Sequence, residues 1–158
     1  MKSYEDVHLT SPTENSTLTW IGSVFTHLPE PRWHSLLDFL AANTERDGVV
    51  VFTVHGQSAI RFFEGNIMKR NPHIIDHEKF EYMKNNIEKI GYFYSPQKDA
   101  NFRYSVKHGM GALAGEYGLA FTSEQWVRDL IESKTDWTLA HYAAPGWGRN
   151  HDAVTIVR

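Results

Sequence analysis

Between Ser16 and Val54 the hydrophobic and polar positions change period twice, and each change marks an element. "STLTWIGSVF", Ser16 to Phe25, mixes β-branched and aromatic residues in a short run, the pattern of a strand buried on both faces. The next segment, "THLPEPRWHSLLDFLAANTERDG", sets Trp33, Leu36, Leu37 and Leu40 at helical spacing, with Pro29 and Glu30 near its start and Gly48 beyond its end. It predicts an amphipathic helix. "VVVFTV", Val49 to Val54, is β-branched almost throughout, follows the turn pair Asp47 and Gly48, and runs into Gly56, which predicts a central parallel strand. Strand, helix and strand make a right-handed crossover unit, the building block of doubly wound sheets.

The flanking segments are less regular. Residues 1–15 are polar without period and read as an arm or loop. "SAIRFFEG" fits one or two helical turns, while "DHEKFEYMKNNIEKIG" fits a longer helix with Phe80, Met83, Ile87 and Ile90 on one face and Gly91 as its C-cap. "GYFYSP" predicts a short strand, and "QKDANFRYSVKHGMGALAGE" a long loop of the kind that often faces substrate. "YGLAF" predicts a strand, and "TSEQWVRDLIESK" a helix capped by Thr122 or Ser123, with Gln125 completing a capping box from Thr122. "DWTLAHYAA" and "DAVTIVR" predict a closing antiparallel pair joined through the turn-rich "PGWGRNH".

Composition leaves this picture intact and removes alternatives. At 158 residues, 41% hydrophobic and 22% charged, the chain has the size and make-up of one globular domain. Sixteen basic and nineteen acidic residues give a charge of −3, so no electrostatic footprint supports nucleic acid or a membrane surface as partner. The absence of cysteine removes disulfides, thiolate nucleophiles and thiolate metal sites together. No apolar run suits a signal peptide or a membrane span, and the expectation is a soluble, cytoplasmic protein.

Two motifs fail on context. His73 and His77 stand four apart with Asp76 between them, yet the zinc-hydrolase glutamate and a third ligand are missing, so no metal site is expected. "GMGALA", Gly109 to Ala114, has dinucleotide-turn spacing, but a polar segment precedes it where a buried strand is required, and a strand-like one follows. No nucleophile elbow or phosphate-binding loop is present. What remains is the pair of strand ends. Ligands of open α/β sheets bind beyond the carboxyl ends of the strands, where this chain sets Ser23, Thr26 and His27 after one strand and Thr53, His55 and Gly56 at the other. Helix capping by Thr26 and a plain turn at Gly56 fit the same spacing equally well.

The residues also resemble a family. "STLTWIGSVFTHLPEPRWHSLLDFLAANTERDGVVVFTVHG" is similar to the fourth strand, following helix and fifth strand of class I S-adenosylmethionine-dependent methyltransferases. The likeness is to bacterial members with an "SVFTHL" sequence and a later "TxHG", here "TVHG". "YGLAFTSEQWV" and "GWGRNHDAVTIVR" resemble the family's last helix and final strand pair, so the likeness spans residues 16–158.

The resemblance implies an α/β fold, a partial Rossmann-like methyltransferase sheet of parallel strands with a C-terminal antiparallel hairpin. The cofactor it implies is S-adenosyl-L-methionine, and the acceptor a small molecule, glycan or lipid-linked group. Ser23, Val24, Phe25, Thr26 and Gly56 would line the cleft, with His27 and His55 as candidate bases. The glycine-rich turn and ribose-binding acid of the family belong ahead of the fourth strand, so the expectation is a domain lacking the cofactor-binding half, incomplete when isolated. A noncatalytic methyltransferase-like remnant acting as an interaction module is the alternative, and a metal-dependent hydrolase a distant third. Either of the first two leaves Leu18 to Phe25 as an open edge without charge or proline, exposing Trp20, Ile21 and Val24 to a second copy or a complementary half.

Overall fold

The structure, a computed structural model, describes residues 14–67, 77–96 and 117–158. Most of the N-terminal arm, His73 with Asp76, and the long loop containing "GMGALA" lie outside the described residues. The fold is mixed α/β. A four-stranded sheet has the order β1-β2-β6-β5, where β1 is Ser16–Ile21, β2 Thr44–Val54, β5 Thr138–Trp147 and β6 His151–Val157. β1 and β2 are parallel, in register from Leu18↔Val49 to Ile21↔Phe52, and α1 (Glu30–Asn43) makes the crossover between them. β6 runs antiparallel to β2 from Val49↔Val157 to Val54↔Asp152, and β5 antiparallel to β6. The expected parallel pair and closing hairpin are both present.

Alternation along β2 decides where the core sits. Val50, Phe52 and Val54 are fully buried with Val154 and Ile156, against Trp33, Leu37 and Leu40 of α1 and Val127, Leu130 and Ile131 of α4 (Glu124–Glu132). A second cluster joins α2 (Gln57–Phe62) and the turn after it to α3 (His77–Ile90) through Ala59, Phe63, Phe80, Met83 and Phe121. It packs on a two-stranded antiparallel sheet of β3 (Tyr92–Pro96) and β4 (Gly118–Thr122). The Thr122 amide donates to the His55 carbonyl at 2.9 Å and ties β4 to the end of β2.

Several boundaries differ from the sequence reading. The first strand stops at Ile21 rather than Phe25, because Ser23 adopts φ +59° and its amide donates to Thr53 Oγ1 at 2.8 Å. Phe25–His27 then forms a 3-10 turn. The pair Asp47 and Gly48 is not a free turn before β2 but a distortion within it: the register jumps from Ser16↔Thr44 to Leu18↔Val49, with Asp47 at φ +63°. Ile90 leaves the buried face of α3 and is 65% exposed, whereas Gly91 at φ +79° is the C-cap the sequence predicts. Ser123, not Thr122, caps α4, its Oγ accepting from the Trp126 amide at 3.1 Å, so no box forms with Gln125, which donates to Asp129 instead. Pro145 to Trp147 belong to β5, and the tight connection to β6 is residues 148–150. At the sheet edge Trp20 and Val24 are exposed as expected, but Ile21 packs against the core.

Candidate functional site

Two parallel strands and one antiparallel strand bring their polar residues to the same end of the sheet. Because Val54 faces Asp152 across the ladder, the start of β6 lies beside the carboxyl end of β2, which itself lies beside the end of β1. Three imidazoles gather there. The His27 and His55 ring centroids are 6.1 Å apart, and those of His55 and His151 4.9 Å apart.

His27 is fixed by two contacts. Its ring stacks on Tyr117 with centroids 4.6 Å apart and planes 12° from parallel, and its Nδ1 is 2.8 Å from the Gly118 carbonyl. A carbonyl only accepts, so Nδ1 carries the proton and neutral His27 keeps the lone pair on Nε2. Burial lowers its pKa and the Gly118 bond opposes the shift, which holds His27 in the neutral, basic form near pH 7.

His55 sits deeper, 5% exposed, against Phe121 and Phe63. Burial, then the neighbouring His151 and His27, push its pKa down to about 3, with a backbone hydrogen bond at Ala120 acting the other way. Its Nδ1 is buried without a hydrogen-bond partner. His151 is 7% exposed, and burial followed by the charge of His27 lowers its pKa while Asp152 opposes. Asn150 Oδ1 lies 3.1 Å from its Nδ1, and Ser23 Oγ a long 3.5 Å from its Nε2.

The remaining sequence candidates divide. Ser23 and the fully buried Thr26 face each other with hydroxyl oxygens 3.3 Å apart, and Ser23 holds a left-handed backbone that a non-glycine residue rarely keeps without support from its surroundings. Val24 is exposed. Phe25 does not line the cleft: its ring packs at 4.4 Å from Phe52 and 4.8 Å from Trp33 in the core. Gly56 sits against the Asp152 carboxylate and the Tyr142 hydroxyl, where a Cβ would collide with both. The sequence reading missed the partners that make this corner polar. Asp152 is fully buried, one carboxylate oxygen accepting from Tyr142 at 3.0 Å and the other, Oδ1, unpartnered; burial and then Asp152 raise the Tyr142 pKa. The sequence placed Asp152 at the start of a strand predicted to pair antiparallel and His151 in the turn-rich connection ahead of it, and neither position marked a site.

The set of groups is therefore neutral imidazoles, hydroxyls and one buried carboxylate, able to take a proton or face a cationic group. Among the described residues no cluster of three or more His, Asp or Glu is placed to hold a metal ion, and no helix is long and apolar enough to cross a membrane. Comparison of the chain with family models, curated proteins and solved structures finds no match.

Proposed function

We propose that this domain supplies the acceptor side of methyl transfer from S-adenosyl-L-methionine. The observation that carries the reading is the sheet order β1-β2-β6-β5 with only β6 reversed, its polar residues gathered at the carboxyl ends of β1 and β2. That is the arrangement implied for a Rossmann-like methyltransferase by the resemblance of its strands to the fourth, fifth and final pair. The donor set fits the cofactor in sign, since buried lone-pair atoms on His55 and Asp152 suit a cationic group. When bound, S-adenosylmethionine supplies an electrophilic methyl on a sulfonium.

The chain's own residues would then do two things. The Ser23–Thr26 turn and Gly56 shape the cleft and position the acceptor, because alignment within roughly 3 to 3.5 Å is the larger part of such a displacement. His27, with its proton fixed on Nδ1 by Gly118, takes the acceptor's proton on Nε2 where the acceptor must lose one. His55, held neutral by burial, is a positioning neighbour rather than a second base at neutral pH.

The test reads binding down to weak affinity. In an amide NMR titration with S-adenosylhomocysteine, saturable shifts centred on Ser23 to His27 and on His55 and Gly56 support the reading. No shift at these residues at tens of millimolar ligand refutes it. One observation favours the interaction-module alternative: Leu18 is 66% and Trp20 52% exposed along a strand at the edge of the described sheet.

A further inference from the structure

A shallow, open cavity of about 470 Å³ lies between α2 and the end of β5 with its connection to β6, lined by Ser58, Arg61, Phe62, Ala144, Pro145 and Arg149. Its volume falls in the range of small-ligand sites, about 300 to 1,000 Å³. Among the described residues, both charged side chains on its wall are guanidinium groups and none is a carboxylate, although the chain as a whole carries a charge of −3. Neither Arg61 nor Arg149 has an ion-pair partner among the described residues. Ser58 adds a second, independent feature: it is 4% exposed, and its hydroxyl is buried without a hydrogen-bond partner. Phe62 and Pro145 complete the wall with apolar surface.

We propose that this cavity binds an organic oxyanion, a ligand carrying a carboxylate or phosphate group. The guanidinium fork matches the paired oxygens of either anion, and two such groups on one cavity neutralise its charge. The Ser58 hydroxyl donates to the same anion, and the ligand's apolar body rests on Phe62 and Pro145. Ser58 lies three residues after His55, and Arg149 two residues before His151, so the segments that carry the imidazoles also carry the cavity. Binding of the anion does not depend on methyl transfer. Resting on that reading, it narrows the acceptor to an anionic molecule whose charged end is anchored at the arginines.

Phenyl phosphate and benzoate are the probes, benzyl alcohol is the neutral control, and amide NMR of the full chain is the readout. The expected result is saturable shifts in Ser58 to Phe62 and Ala144 to Arg149 with at least one anion and none with the alcohol. Arg61→Gln and Arg149→Gln should each weaken binding by about tenfold, the scale of one hydrogen bond to a charged group. Both arginines are exposed, so the variants keep the fold, and their own spectra report it. Tighter phenyl phosphate assigns a phosphate-bearing ligand, and tighter benzoate a carboxylate. Absence of saturable shifts at tens of millimolar, equal response to benzyl alcohol, or unchanged affinity in the double variant overturns the proposal. Failure of S-adenosylhomocysteine to shift Ser23 to His27 would leave these resonances and this result unaffected.

Discussion

Acid should weaken this fold chiefly through His55. The ring is 5% exposed among Phe63, Phe121, His27 and His151, and its pKa falls from 6.5 to about 3 on folding. Below pH 6.5 the unfolded chain takes up a proton that the folded chain refuses, so the contribution of neutral His55 is fully present above that pH and is lost as pH falls. At about 1.36 kcal/mol per unit, the loss attributable to His55 is about 2 kcal/mol at pH 5 and approaches about 5 kcal/mol only below pH 3. His27 and His151, also lowered by burial, act in the same direction and enlarge the total. Urea unfolding at pH 7.5 and pH 5 measures it. For His55→Leu the difference in stability between the two pH values should shrink by about 2 kcal/mol, or about 4 to 8 °C in melting temperature for a domain of this size. An undiminished pH dependence in His55→Leu, or a native His55 resonance titrating near pH 6, would refute the reasoning.

Gly56→Ala places a methyl group against Asp152 and Tyr142 and should cost about 1 to 3 kcal/mol by urea unfolding, since Asp152 is fully buried and the two side chains are hydrogen-bonded to each other. Tyr142→Phe deletes the hydrogen bond to the fully buried Asp152 and should cost about 1 to 3 kcal/mol at pH 7.5; a neutral result would show the carboxylate is served otherwise. If the β1 edge joins two copies, light scattering of the chain without residues 1–15 should show a dimer that Leu18→Lys with Trp20→Lys converts to monomer. A stable monomeric parent at high concentration removes the edge as a docking surface.

Local pattern was enough for the elements whose side chains obey a period. Val50, Phe52 and Val54 define a buried strand, and Trp33, Leu37 and Leu40 define the helix that covers it; together they make the parallel crossover from local pattern alone. Gly91 was legible as a cap for the same kind of local reason, because a left-handed residue after a helix is nearly always glycine. Ser23, His27, His55 and Gly56 could be nominated, since the ends of parallel strands are where such sheets keep their polar groups. Their surroundings came from the packing of distant segments. That packing turned Phe25 into the core and Ile21 onto it, and it brought His151 and Asp152 from the last strand to within contact of residues nearly a hundred positions earlier. It also set Arg61 and Arg149 on one cavity. Periodicity is a property of neighbours along the chain, whereas the pKa of His55 and the pairing of Tyr142 with Asp152 depend on which strand ends share one edge of the sheet, a matter of register and crossover that no local pattern encodes.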